Sequence, residues 1–155
     1  MYYYHVHKFL TSWIFVLVIF HNITSKILSL PYLTFSVLLN GLYFSYINPC
    51  KYYIEYYNEN NELSEYILDG VKKNIMDIAI HISPFIFIIS IYGIEPLFTN
   101  WKMIPSLLLV SLYFILYNPC NIYRLPLNEI IIMAITTVIL YIILNLLINY
   151  KNYKF

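Results

Sequence analysis

Three glycines (Gly41, Gly70 and Gly93) and two alanines (Ala79 and Ala134) are all that a chain of 155 residues offers for close backbone contact. Helix seams built on a small-xxx-small pattern are therefore excluded. Charge is scarce as well. Asp, Glu, Lys and Arg make up 11% of the chain, against about 25% in soluble domains. With 61% hydrophobic residues and a mean hydropathy of +0.67, the chain has more apolar surface than a soluble core could hide. A net charge of +1 with no dense basic cluster excludes binding to a nucleic-acid backbone. Phosphate loops, nucleophile elbows, channel filters, zinc-protease signatures and Cys-x-x-Cys pairs are all missing. No cofactor is implied.

Tyrosine (18) and phenylalanine (10) are abundant. Together with frequent Ile, Asn and Lys, they are what codon bias in an A/T-rich genome produces, such as that of a large DNA virus, a parasite or an endosymbiont. The tyrosine count alone therefore carries little argument.

The expected fold is an all-α integral membrane protein with five transmembrane helices in a single membrane domain, 1–155. The first apolar run, Phe9 to Phe20, follows Lys8 and also suits a secretory signal peptide. Its best cleavage site, after Ser25, has the bulky Ile23 at the third position back, so the run is read as helix 1. Helix 2 extends from about Leu28 to Ile47, with Pro31 tolerated in its first turn and Asn48-Pro49 ending it. Helices 3, 4 and 5 are expected at Asn74 to Tyr92, Met103 to Tyr117 and Glu129 to Asn149. Between helices 2 and 3 lies the one long polar stretch, residues 51–73, rich in Glu and Asp. There Leu63, Tyr66, Ile67 and Val71 recur at helical spacing and suggest a short amphipathic helix.

An internal repeat is the strongest pattern. Leu42-Tyr43-Phe44-Ser45-Tyr46-Ile47-Asn48-Pro49-Cys50 matches Leu112-Tyr113-Phe114-Ile115-Leu116-Tyr117-Asn118-Pro119-Cys120 at six of nine positions, with a constant offset of 70. Ser36 with Ser106, Leu38 with Leu108 and Leu39 with Leu109 extend the match. The organisation implied is two tandem helical hairpins, 1–50 and 74–120, then a C-terminal helix and short tail, 121–155. Two copies that each cross twice would share one orientation, related by an axis along the membrane normal. Five crossings put Lys8, Lys51, Lys72, Lys73 and Arg124 on one side and Lys26, Lys102, Lys151 and Lys154 on the other. That bias, five against four, favours a cytoplasmic N-terminus. Cys50 and Cys120 are then juxtamembrane thiols, better suited to acylation than to a disulfide.

Chemistry concentrates in Lys72 to Glu95. At 100° per residue, Asn74, Asp77, His81, Pro84, Tyr92 and Glu95 share one arc of about 80°, a polar stripe on an apolar rod. Asp77 and His81 are neighbours at i and i+4. The offset of 70 sets His7 opposite Asp77 in depth, so His5, His7, Asp77 and His81 are the candidates for a metal or proton site. The plainer alternative pairs Asp77 with Lys73 and bonds His81 to a neighbouring helix. Ser36, Asn40 and Tyr43 on helix 2, and Thr137, Tyr141, Asn145 and Asn149 on helix 5, read as hydrogen-bonding faces between helices.

The function expected is that of a non-enzymatic structural, assembly or interaction component. Its partners are the lipid bilayer and, through helix faces, a second copy or other membrane proteins. The alternatives are a small transporter or channel subunit using the Asp77/His81 stripe, and an intramembrane enzyme or metal site using the same two residues.

Overall fold

A computed structural model describes residues 3–4, 9–43, 52–96, 101–117, 120 and 125–150. The chain is mostly helical. In order it forms β1 (Tyr3–Tyr4), α1 (Leu10–Ile19), α2 (His21–Thr24), α3 (Leu30–Leu42), β2 (Tyr52–Tyr57), β3 (Leu63–Leu68), α4 (Gly70–Asp77), a π-helical turn (Ile78–Ile82), α5 (Ser83–Tyr92), α6 (Met103–Leu116) and α7 (Leu127–Asn149).

The helical rods alternate in direction, as contacts at the two ends fix. At one end the Tyr43 hydroxyl donates to Glu129 at 3.4 Å, joining the end of α3 to the start of α7. At the other, the Tyr92 hydroxyl lies 2.8 Å from His21 Nδ1, Lys102 pairs with Glu95 at 3.1 Å, and the Ser29 N–H donates to Ser106 Oγ at 2.8 Å. Helix α3 is the hub, buried from Leu30 through Val37 and again at Gly41. Phe35 and Tyr32 meet Tyr141 of α7, Phe35 meets Phe85 of α5, and Trp13 of α1 stands edge-on to Tyr113 of α6.

Two rods are long and apolar enough to cross a membrane: Gly70–Tyr92 and Leu127–Asn149. At 1.5 Å per residue each is about 34 Å long, whereas the 13 residues of α3 and the 14 of α6 reach about 20 Å. The bilayer core is about 30 Å thick. The five spans read from the sequence therefore reduce to two full-length rods and three shorter apolar helices, Leu10–Ile19, Leu30–Leu42 and Met103–Leu116.

The all-α expectation needs a correction. Strands β1, β2 and β3 form an antiparallel sheet in that order, with Tyr52 opposite Leu68 and Tyr57 opposite Leu63. Of the segment expected as an amphipathic helix, Leu63–Leu68 is thus the outer strand of a hairpin, and Val71 already belongs to α4. Asn58 nucleates the turn: its Oδ1 accepts from the N–H groups of Asn60 and Glu62, and its own N–H donates to the Glu62 carbonyl at 3.0 Å. Asn61 takes the left-handed conformation, φ 59°, that asparagine tolerates well. Aromatic and β-branched residues on either side of that Asn-rich turn favour extended chain, and pairing satisfies their backbone groups. Helical spacing of four apolar residues was the weaker signal.

Burial on α7 runs opposite to that of a soluble helix. Thr137, Tyr141, Asn145 and Asn149 are buried, while Ile131, Ile132, Ile135, Ile139, Ile143 and Leu147 are exposed. Helix α6 follows suit, burying Ser106 and Tyr113 and exposing Ile104, Leu108, Leu112 and Ile115.

Candidate functional site

The site starts from a proline. Pro84 lacks the N–H that would bond the carbonyl one turn earlier, and its ring crowds that carbonyl. The rod widens into the π-helical turn just before it, and the Ser83 hydroxyl donates to the Ala79 carbonyl. Such single wide turns recur at functional positions. An i→i+5 closure also shifts the helical phase, so angles counted at 100° per residue do not carry across it.

The consequence is visible in the stripe. Asp77 and His81 are buried, Asn74 is exposed, and Tyr92 and Glu95 are half-buried at the far end of the rod. Tyr92 belongs to a separate knot with His21 and Ser25, and Glu95 pairs with Lys102. The structure therefore divides the five stripe residues between two ends. His5, His7 and Cys50 lie outside the described residues. Cys120 is half-buried.

Around Asp77 a four-residue chain assembles. Lys73, Asp77 and His81 are 4%, 5% and 8% exposed. Lys73 Nζ donates to Asp77 Oδ2 at 3.0 Å. His81 Nδ1 lies 3.1 Å from the Asp77 carbonyl oxygen and 3.5 Å from Oδ1. Both neighbours of Nδ1 are acceptors, so Nδ1 carries a proton, and Nε2 lies 3.3 Å from the Thr11 hydroxyl of α1. The cluster thus sets one basic and one acidic side chain beside an imidazole and a hydroxyl. A hydroxyl, imidazole and carboxylate in sequence is also the order used for nucleophile activation. Chemistry would further require a cavity at the hydroxyl. A cleft of about 590 Å³ lies between α3, α6 and α7, and none of the four residues lines it. Among the described residues no group of three or more His, Cys, Asp or Glu gathers as a metal site.

The Lys73–Asp77 pair is the plainer alternative read from the sequence, and it is buried. One participant escapes that reading, Gly41: a Cβ there would stand 2.5 Å from His81 Cγ and 2.7 Å from its Cβ. One of only three glycines is thus placed where α3 meets the imidazole, and the scarcity of glycine was itself the available signal. Gly41→Ala is expected to displace the ring at a cost of about 1–3 kcal/mol, the usual penalty of overpacking. In a His81→Ala background the same substitution should cost little, and a double-mutant cycle by thermal unfolding checks this.

The remaining polar faces resolve into specific bonds. Asn145 Nδ2 donates to the Glu95 carbonyl at 2.7 Å and Asn149 Nδ2 to that of Ile94 at 2.9 Å, tying α7 to the turn after α5. Asn40 Nδ2 donates to the Ser36 carbonyl within α3. The chain matches no protein-family model, and no curated protein or solved structure shows detectable similarity to it.

Proposed function

We propose that this chain is a multi-pass membrane protein with five crossings, acting as a non-enzymatic structural or interaction component. The observation that carries the membrane reading is the inverted burial of α7, with Thr137, Asn145 and Asn149 inside and a continuous aliphatic face outside. Each aliphatic side chain left in water forfeits about 1.5–3 kcal/mol. The exposed isoleucines of α7 alone would forfeit an amount comparable to a domain's whole stability of about 5–15 kcal/mol. Lipid removes that cost. The three short rods are accommodated by local thinning of the bilayer or by flanking residues such as Trp101, which is exposed beside α6.

The non-enzymatic reading is supported by closure of the Lys73–Asp77–His81–Thr11 chain, in which each group meets a complementary partner away from the cleft. Such a cluster fixes the register of α1 against the long rod. Thr11 and His81 are 70 residues apart, and His21 and Tyr92 are 71 apart. These near-equal offsets support a tandem duplication whose two first helices run parallel and in step. Partners would then meet the protein through its outer helix faces or the hairpin at 52–68.

The second reading, a proton or ion path, is favoured by the unbroken hydroxyl–imidazole–carboxylate–ammonium order. A proton-flux assay in liposomes separates the two. The structural reading expects flux equal to that of protein-free vesicles for the parent, Asp77→Asn and His81→Ala. Parental flux that disappears in His81→Ala would overturn it.

A further inference from the structure

Helices α6 and α7 both pack on α3 and leave between them a half-open cleft of about 590 Å³, within the range of about 300–1,000 Å³ typical of ligand sites. Its walls are mainly aliphatic, from Leu107, Val110, Phe114, Ile131, Ala134 and Val138. Polar residues interrupt them: Tyr32, Ser36, Asn40, Ser111, Tyr113 and Thr137. Tyr32 is 3% exposed and Thr137 5% exposed, both line the cleft, and neither hydroxyl has a hydrogen-bond partner among the described residues. Other hydroxyls in the bundle show what is normal here: Thr34, Ser36, Ser106 and Ser111 each donate to a carbonyl of their own helix. Thr137 sits mid-helix, where the same bond is available, and does not make it. Neither hydroxyl oxygen is sealed off, so both are open to this largely apolar space, and a partner for them must come from what occupies it. A bare alkyl chain would leave both hydroxyls unmet.

We propose that the cleft binds a lipid-soluble small molecule carrying a hydroxyl or carbonyl oxygen within an apolar body, with the Tyr32 and Thr137 hydroxyls as that oxygen's partners. The proposal rests on the membrane reading for the ligand's route, laterally from the bilayer between α6 and α7. Asn40, also in the lining, spends its Nδ2 on the Ser36 carbonyl, so its Oδ1 is the acceptor for a ligand hydroxyl.

The test uses the full chain in lipid nanodiscs and two long-chain photoactivatable probes differing only in a mid-chain ketone. The ketone probe should label residues 107–114 and 130–138 saturably and outcompete the hydrocarbon probe. Tyr32→Phe combined with Thr137→Val should weaken the ketone probe about tenfold, the loss of two hydrogen bonds, and leave the hydrocarbon probe unchanged. Thr137→Ser should behave like the parent. Should the double variant lose helicity, Ala134→Phe decides instead: by filling the cleft from its rim it should abolish saturable labelling. Equal affinity of the parent for both probes, unchanged ketone labelling in a folded double variant, or unchanged labelling in Ala134→Phe would overturn the proposal. Flotation with vesicles in the absence of probe is scored separately. A chain that floats but does not prefer the ketone defeats the ligand alone, and one that fails to float defeats the membrane reading.

Discussion

Asp77→Leu is expected to lower unfolding stability by about 3–5 kcal/mol, because it removes the carboxylate that lies 3.0 Å from the ammonium of Lys73, a residue only 4% exposed. A buried cation that loses the carboxylate beside it is pushed to deprotonate or to draw water inward. The backbone carbonyl that holds His81 Nδ1 survives the substitution, so the imidazole keeps one of its two acceptors. Adding Lys73→Met should recover most of the loss, since a buried pair replaced by apolar residues of similar volume is often neutral or stabilising. A double-mutant cycle measured by denaturant titration in detergent reads the coupling. If Asp77→Leu costs less than about 0.5 kcal/mol, the value typical of an ordinary surface change, the pair is hydrated and the register role assigned to it fails.

The second large effect concerns the outer face of α7. Ile135 and Ile139 lie near the middle of Leu127–Asn149 and are both more than half exposed. In water their replacement by lysine would change stability by no more than about 0.5 kcal/mol. In a bilayer each lysine at the centre of a spanning helix costs about 2.5–3.5 kcal/mol on the insertion scale. Ile135→Lys/Ile139→Lys should therefore abolish insertion of the last helix, scored by a glycosylation reporter fused after residue 155. Thr136→Val, on the same helix and also exposed, should insert as the parent does. Normal insertion of the double lysine chain would mean that this face meets water or protein rather than lipid.

How much of this was readable from the residues differs from element to element. The last three helices were expected at Asn74 to Tyr92, Met103 to Tyr117 and Glu129 to Asn149, and they occur at Gly70–Tyr92 (with its π-helical turn), Met103–Leu116 and Leu127–Asn149. Long apolar runs bounded by Pro, Asn and charge leave few alternatives to a helix. The hairpin was missed because apolar residues in 63–71 satisfy a helical period by coincidence, while the decisive signal was the Asn-rich turn between two aromatic runs. The π-helical turn was not legible either: Pro84 predicts a disturbed helix, and whether it kinks or widens depends on what packs there, here Gly41 and His81. Asp77 and His81 were found by their spacing, but the stripe that joined them to Tyr92 and Glu95 assumed one unbroken phase. The Lys73–Asp77 pairing was legible from the i, i+4 spacing, whereas its burial was not.

Inverted burial, with lipid as the solvent of the outer faces, is the claim on which the rest depends. Its most direct test is spin-label accessibility in reconstituted vesicles, with Cys50 and Cys120 replaced by serine and single cysteines introduced at Ile139 on α7 and Glu62 in the hairpin turn. The label at Ile139 should relax strongly with oxygen and be shielded from a water-soluble nickel chelate, and the label at Glu62 should show the reverse. A label at Ile139 as open to the nickel chelate as the one at Glu62 would contradict the account.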